Sequence, residues 1–165
     1  MVVLPKHQER RQGSDANYHD TTTMPDYRRA WHPSGTYFFT VNLLQRHGND
    51  LLTRHVDLLR DTVRSVRRRH PFTIHAWVVL PDHLHCVIEL PPNDTDFATR
   101  WRLIKMGFSK ALPRTERISE VRVRRGERGI WQRRYWEHLI RDEADFRAWR
   151  HLLLVRIWIM FISIR

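Results

Sequence analysis

The sequence holds a single cysteine, Cys86, among its 165 residues. An internal disulfide and a cysteine zinc cage are therefore excluded. No run approaches the roughly 18 consecutive apolar residues of a membrane-spanning helix, so no span is predicted. The first residues lack an apolar signal core, and no export signal is expected. Acidic residues are in the minority, 18 Asp and Glu against 29 Lys and Arg. These absences predict a soluble, cytoplasmic protein. Its length suits one domain with a real core.

What is present is charge and aromatic surface. The net charge is +11, the sequence pI is about 11.0, and there are seven Trp. Arg and Lys contact phosphates, and exposed aromatic rings stack on unpaired bases. A basic solvated surface with Trp in the core is the alternative. The size of the excess favours a nucleic-acid partner. A membrane surface fits less well, because no basic amphipathic helix stands apart from the fold.

Hydrophobic periodicity orders the elements. Residues 1–24 are polar, lack an apolar period and are predicted disordered. Thr36 to Leu43 is aromatic and β-branched, a strand. Leu52, Val56, Leu59, Val63 and Val66 draw one stripe on a helix over 52–69, and Pro71 stops it. Phe72 to Leu80 and Leu84 to Leu90 are two more strands. Phe97, Trp101, Ile104 and Phe108 mark a second helix, with Arg100, Arg102, Lys105 and Lys110 on its polar sides. Residues 113–129 are predicted as a loop. A fourth strand is predicted over 134–140, then a helix opening at Asp142 with acidic residues in its first turn. The order strand, helix, strand, strand, helix, strand, helix gives an α+β sandwich, a four-stranded antiparallel sheet with two helices on one face.

The stretch from Trp77 to Leu90 organises the rest. Pro81-Asp82 separates two apolar runs, which reads as antiparallel neighbours with a tight connection. His83 and His85 are two apart on the second strand, so both imidazoles share one face. Two imidazoles on a rigid face are half of a divalent metal site. Two unrelated surface histidines are the alternative, since a chain with 11 His can place such a pair by chance.

Longer motifs bear on that choice. "GTYFFTVNL", "WVVLPDHLH", "FATRWRLIKMGFSKAL" and "IWQRRYWEHLIRDEADF" follow one another, after Tyr27-Arg28-Arg29. Together they resemble the REP-associated tyrosine transposases, bacterial members of the HUH single-strand transposase superfamily. The resemblance covers roughly 27–148. It implies the ferredoxin-like βαββαβ arrangement, with an IS200-like transposase domain over 25–165 and a tyrosine helix at its C-terminal end. It implies that His83 and His85 hold a magnesium- or manganese-type ion. It implies that Tyr27, Arg28, Arg29, Lys105, Arg133 and Arg134 contact single-stranded or hairpin DNA. Relatives act as monomers or homodimers, and no membrane is involved. Met24-Pro25 opens the matching segment, so residues 1–23 are expected to be an upstream extension.

In the family a tyrosine on the last helix attacks phosphorus and forms a 5′-phosphotyrosine link. The expected motif is like His-Val-Asp-Tyr-Ile-His-Tyr-Asn-Pro, soon after Phe146, and its Asn is the third ligand. This chain lacks both the Tyr and the Asn there. Its tyrosines are Tyr18, Tyr27, Tyr37 and Tyr135, and Tyr135 is a weak surrogate placed before the helix. Shifting the reading frame from the third base of the Arg156 codon can spell His-Met-Asp-Tyr-Val-His-Ile-Asn-Pro. The Asp and Val are forced by the Trp158 and Met160 codons; other positions depend on codon choice. A natural apolar helix end is the alternative. The expectation is a frameshifted, damaged tyrosine helix, hence a transposase without its nucleophile or a hairpin-binding remnant of one.

Overall fold

The structure is a computed structural model that describes residues 33–114, 116 and 118–155. The expected N-terminal extension, the Tyr27-Arg28-Arg29 element and the tail from Arg156 lie outside the described residues. The elements run β1 (Thr36–Asn42), α1 (Leu51–Arg54), α2 (Val56–Arg69), β2 (Thr73–Val79), β3 (His83–Glu89), α3 (Phe97–Ala111), α4 (Glu120–Arg124), β4 (Trp136–Ile140) and α5 (Glu143–Val155). The four strands form one antiparallel sheet in the order β2-β3-β1-β4. The predicted α+β class and strand-helix order hold.

Alternation along the strands divides the sheet into two faces. Tyr37, Phe39, Val41, Leu84, Cys86 and Ile88 enter the main core beneath α2 and α3. Leu59, Val63 and Val66 of α2 meet them, with Phe97, Trp101, Ile104 and Phe108 of α3. Each such large apolar side chain contributes about 1.5–3 kcal/mol when fully buried. The opposite face carries a smaller cluster of Phe38, Val78 and Val87, and Phe146 and Trp149 of α5 pack against it. So two helices cover one face, and the last helix lies on the other.

Four local expectations change. The helix over 52–69 divides at His55 (φ −113°, ψ 37°). Leu52 N donates to Pro81 O at 3.1 Å, which ties α1 to the β2–β3 turn while α2 follows the sheet. The loop over 113–129 contains α4. It closes at Gly126, whose φ of +65° suits glycine. Gly126 N donates to Val123 O and Glu127 N to Arg122 O, the paired bonds of a Schellman ending. The fourth strand begins at Trp136 rather than 134, because only an isolated Leu43–Trp131 bridge precedes it. Arg100 is not on a polar side of α3 but buried, 4% exposed.

Arg100 acts as a staple. Its guanidinium donates to Asp94 Oδ1 at 3.2 Å and Oδ2 at 2.6 Å, to Asp96 O at 2.7 Å and to Pro71 O at 2.6 Å. It thereby joins the end of the α2–β2 connection to the start of α3. The Arg100 hydrogen bonds hold the Asp94 carboxyl below the usual carboxylate range. Arg100→Ala leaves Asp94, itself partly exposed, without its cation and should cost about 1.5–3 kcal/mol, read by urea unfolding at neutral pH. A depressed folded pKa contributes stability that is present above the unfolded pKa of about 3.9 and is lost as pH falls through the folded value. The wild-type advantage over Arg100→Ala should therefore shrink as pH falls below about 4.

Candidate nucleic-acid interface

Because Leu84, Cys86 and Ile88 go into the main core, His83 and His85 point to the other face, as their spacing predicts. Their ring centroids lie 4.9 Å apart with planes at 86°. Asn42 and Thr40 are their cross-strand partners on β1. His85 Nδ1 is 2.9 Å from Thr40 Oγ1, and His83 Nδ1 is 2.6 Å from Asp82 Oδ1. Asp82 also accepts from Arg46 Nε at 2.6 Å. Burial pushes the Asp82 carboxyl up, but the His83 and Arg46 hydrogen bonds outweigh it and hold the group below its ordinary value. With both Nδ1 atoms engaged, a metal would be taken through Nε2. Carboxylate and hydroxyl partners behind ligating imidazoles are the usual orienting arrangement. The donor set thus fits a divalent ion, with His83 and His85 as two ligands. No group of three or more His, Cys, Asp or Glu placed to hold a metal occurs among the described residues.

The same face carries an aromatic patch. Trp136 sits opposite Thr40 and is 44% exposed. Phe38 stacks on His85 at 5.6 Å and meets Trp136 edge-on at 5.8 Å. His138 stacks on Trp136, and Trp149 of α5 leans on Phe38, Trp136 and His138. Asp145 secures α5 here. Its carboxylate is 2.9 Å from His138 Nε2 and accepts from Trp149 Nε1 at 2.8 Å and from Arg141 N at 3.1 Å. Burial raises the Asp145 pKa, but His138 and the Arg141 amide bring it below the ordinary range. Sequence reading missed Asp82, Thr40, Trp136 and Asp145. Strand alternation could have placed Thr40 and Trp136 on a face; only the register places them beside His85.

The basic residues gather elsewhere. An open groove of about 610 Å³ lies between α3 and the segment following α4. Arg102, Lys105, Lys110, Arg114, Arg122, Arg125 and Arg133 line it, with Glu127. Glu127 pairs with Arg122 and Arg133, and Arg128 with Glu116. Among the described residues, Arg102, Lys110, Arg114 and Arg125 have no carboxylate partner within 4 Å. Arg133 and Arg134 are both exposed. Lys105 is turned inward. Its ammonium donates to Gln132 O at 2.9 Å and lies 4.9 Å from the Tyr135 ring centre. Gln132 N donates in turn to Asn42 O at 3.0 Å, next to His83 in the sheet.

Tyr135 packs on Phe39, Phe97 and Trp101, within the helical layer. Tyr37 is fully buried in the same layer. Both described tyrosines are therefore separated from His83 and His85 by the sheet.

No family model matches the chain. A REP-associated tyrosine transposase of Escherichia coli strain K12 is 45% identical over 124 residues, which is 75% of this chain and 67% of the relative. This chain belongs to the REP-associated tyrosine transposases. A second relative in the family, a candidate from Haemophilus influenzae, is 40% identical over 74% of this chain and 69% of its own length. A solved REP-associated tyrosine transposase bound to a REP hairpin superposes with a TM-score of 0.68 at 40% identity, over 82% of this chain and 76% of that one. In this transposase fold, Lys105 links α3 to the strand-entry segment that carries Arg133. Burial lowers its pKa to about 8. The sign follows: between about 8 and the unfolded value near 10.4 the unfolded chain binds more protons, so this group adds stability as pH rises. Wild type should gain on Lys105→Met between pH 7.5 and 10, measured by denaturant unfolding; a pH-independent difference would show that the ammonium is not buried.

Proposed function

We propose that this chain binds DNA hairpins with single-stranded flanks in the manner of a REP transposase, and that it does not cut them. The supporting observation is its likeness at 40% identity to a family member bound to a REP hairpin. The excess of 29 basic over 18 acidic residues suits the same ligand. Arg133 and Arg134, with the groove cations that lack a carboxylate partner among the described residues and Tyr27, Arg28 and Arg29, supply the phosphate and base contacts. Arginine forks match phosphate oxygens and guanine edges. Lys105 holds the segment that presents Arg133.

A divalent ion on His83 and His85 would stabilise charge on the scissile phosphate. Of the two ions in view, manganese accepts nitrogen ligands more readily than magnesium, which prefers oxygen and water. Thr40 and Asp82 fix the two rings from behind. Among the described residues no tyrosine offers itself as the nucleophile. A phenol must reach phosphorus in line, and the attacking atom must sit about 3–3.5 Å away. Tyr37 and Tyr135 lie across the sheet from the histidines, and α5 and the residues after it hold no tyrosine as the sequence stands.

Binding is tested by fluorescence anisotropy on a labelled hairpin with single-stranded flanks. Affinity should exceed that for an unrelated duplex and fall with salt. Arg133→Ala with Arg134→Ala should reduce the slope of log affinity against log salt by about 0.7–0.9 for each phosphate that is no longer neutralised. Equal affinity for both DNAs defeats the reading. Manganese titration should show a site that His83→Ala with His85→Ala removes; Asp82→Ala should weaken it about 10- to 100-fold. Denaturing gels should show no protein–DNA adduct. An adduct mapped to Tyr135 would overturn the claim about cleavage.

A further inference from the structure

We propose that the exposed indole of Trp136 is a stacking platform for one unpaired base of the DNA strand that crosses the histidine face; this rests on the hairpin-binding reading above. Trp136 is the one tryptophan among the exposed large hydrophobic residues described. Exposure alone would be unremarkable, but this ring is also fixed. His138 lies nearly parallel to it, 5.9 Å between centroids at 7°. Phe38 meets it edge-on at 5.8 Å, and Trp149 leans against it at 5.4 Å. His138 is held in turn by Asp145 at 2.9 Å. A ring already immobilised loses little entropy when a base stacks on it.

Its position carries the inference further. Trp136 is the cross-strand partner of Thr40, and Thr40 holds His85 at 2.9 Å. One phenyl ring, Phe38, touches both His85 and Trp136. A strand whose phosphate lies at His83 and His85 thus passes the indole with a neighbouring base. Arg134, exposed and two residues ahead of Trp136 in the chain, adds positive charge close to that base. Aromatic platforms of this kind tolerate any base, since every base has a π face. The subsite therefore positions the strand without reading its sequence.

The competing reading is that Trp136 only packs α5 onto the sheet. Trp136→Leu keeps apolar bulk and removes the aromatic face; Trp136→Phe keeps a ring. The full chain is titrated with a hairpin whose single-stranded flanks carry an abasic nucleotide at each position in turn. One abasic position should weaken wild-type binding by roughly 5- to 150-fold, the range that base–aromatic stacking spans. Trp136→Leu should bind the intact DNA more weakly by a similar factor, with no further loss at that position. Trp136→Phe should recover most of the affinity. Melting temperatures of the free variants are compared alongside. If Trp136→Leu binds the intact hairpin like wild type, or if the abasic loss is the same in both proteins, the platform is refuted while hairpin binding stands. If wild type ignores the hairpin altogether, both readings fall.

Discussion

The pairing of β3 with β1 and β2 constrains everything else in this molecule. β3 is an inner strand, bonded on both edges, so its side chains have only two directions to take. Leu84, Cys86 and Ile88 are needed under α2 and α3, where each is at most 1% exposed. That requirement sends His83, His85 and Val87 to the opposite face. A slip of one residue would exchange the two sets, burying imidazoles in the core and exposing three apolar residues. The two-residue Pro81-Asp82 turn, closed by Leu80 N donating to His83 O at 2.8 Å, fixes the register. The histidine pair is thus held by the same interactions that hold the core.

Asp82 couples that turn to the pair. It sits at the tip of the hairpin, with His83 on one carboxylate oxygen and Arg46 on the other. The carbonyl of Pro81 next to it accepts from Leu52 N in the first turn of α1. A turn residue chosen for its backbone preference also orients an imidazole and ties in the loop after β1. Thr40 does the same for His85 from within a strand. Both partners are short, which keeps the imidazoles close to the sheet and limits their rotamers.

The strands and the two main helices were legible because their apolar residues follow one period each, as in Leu59, Val63 and Val66, or Phe97, Trp101, Ile104 and Phe108. The two-residue spacing of His83 and His85 likewise fixed their common face. What could not be read depends on contacts distant in sequence. Arg100 lies at a helical position that alternates with polar residues, yet Asp94 and Pro71 O draw it inward. Lys105, expected to contact DNA, also donates to the carbonyls of Gln132 and Arg133, which lie 27 and 28 residues away in sequence. The α4 turn was hidden by its charge: Glu120, Arg122 and Arg124 carry no apolar stripe, although Gly126 marked its end. Trp136 counted as one more aromatic in a strand, and only its register opposite Thr40 set it beside His85.

The placement of α5 suits the proposed reading, in which a nucleophile would belong on a C-terminal helix. The face under α2 and α3 is filled, and no phenol there could reach a phosphate at His83 and His85 through the sheet. The opposite face is only partly covered. Phe146 and Trp149 dock α5 on Phe38, Val78 and Val87, and Asp145 anchors it through His138 and the Arg141 amide. Of the described helices, α5 is the one seated on the histidine side, so among them it is the one that could bring a side chain toward His83 and His85. Phe38 touches both Trp149 and His85, which puts α5 one ring away from the pair. Here the helix brings Trp149 to that position, and no tyrosine follows it in the sequence. The histidine pair, the aromatic patch and α5 thus share one face of the sheet, and β3, β1 and β4 set their spacing.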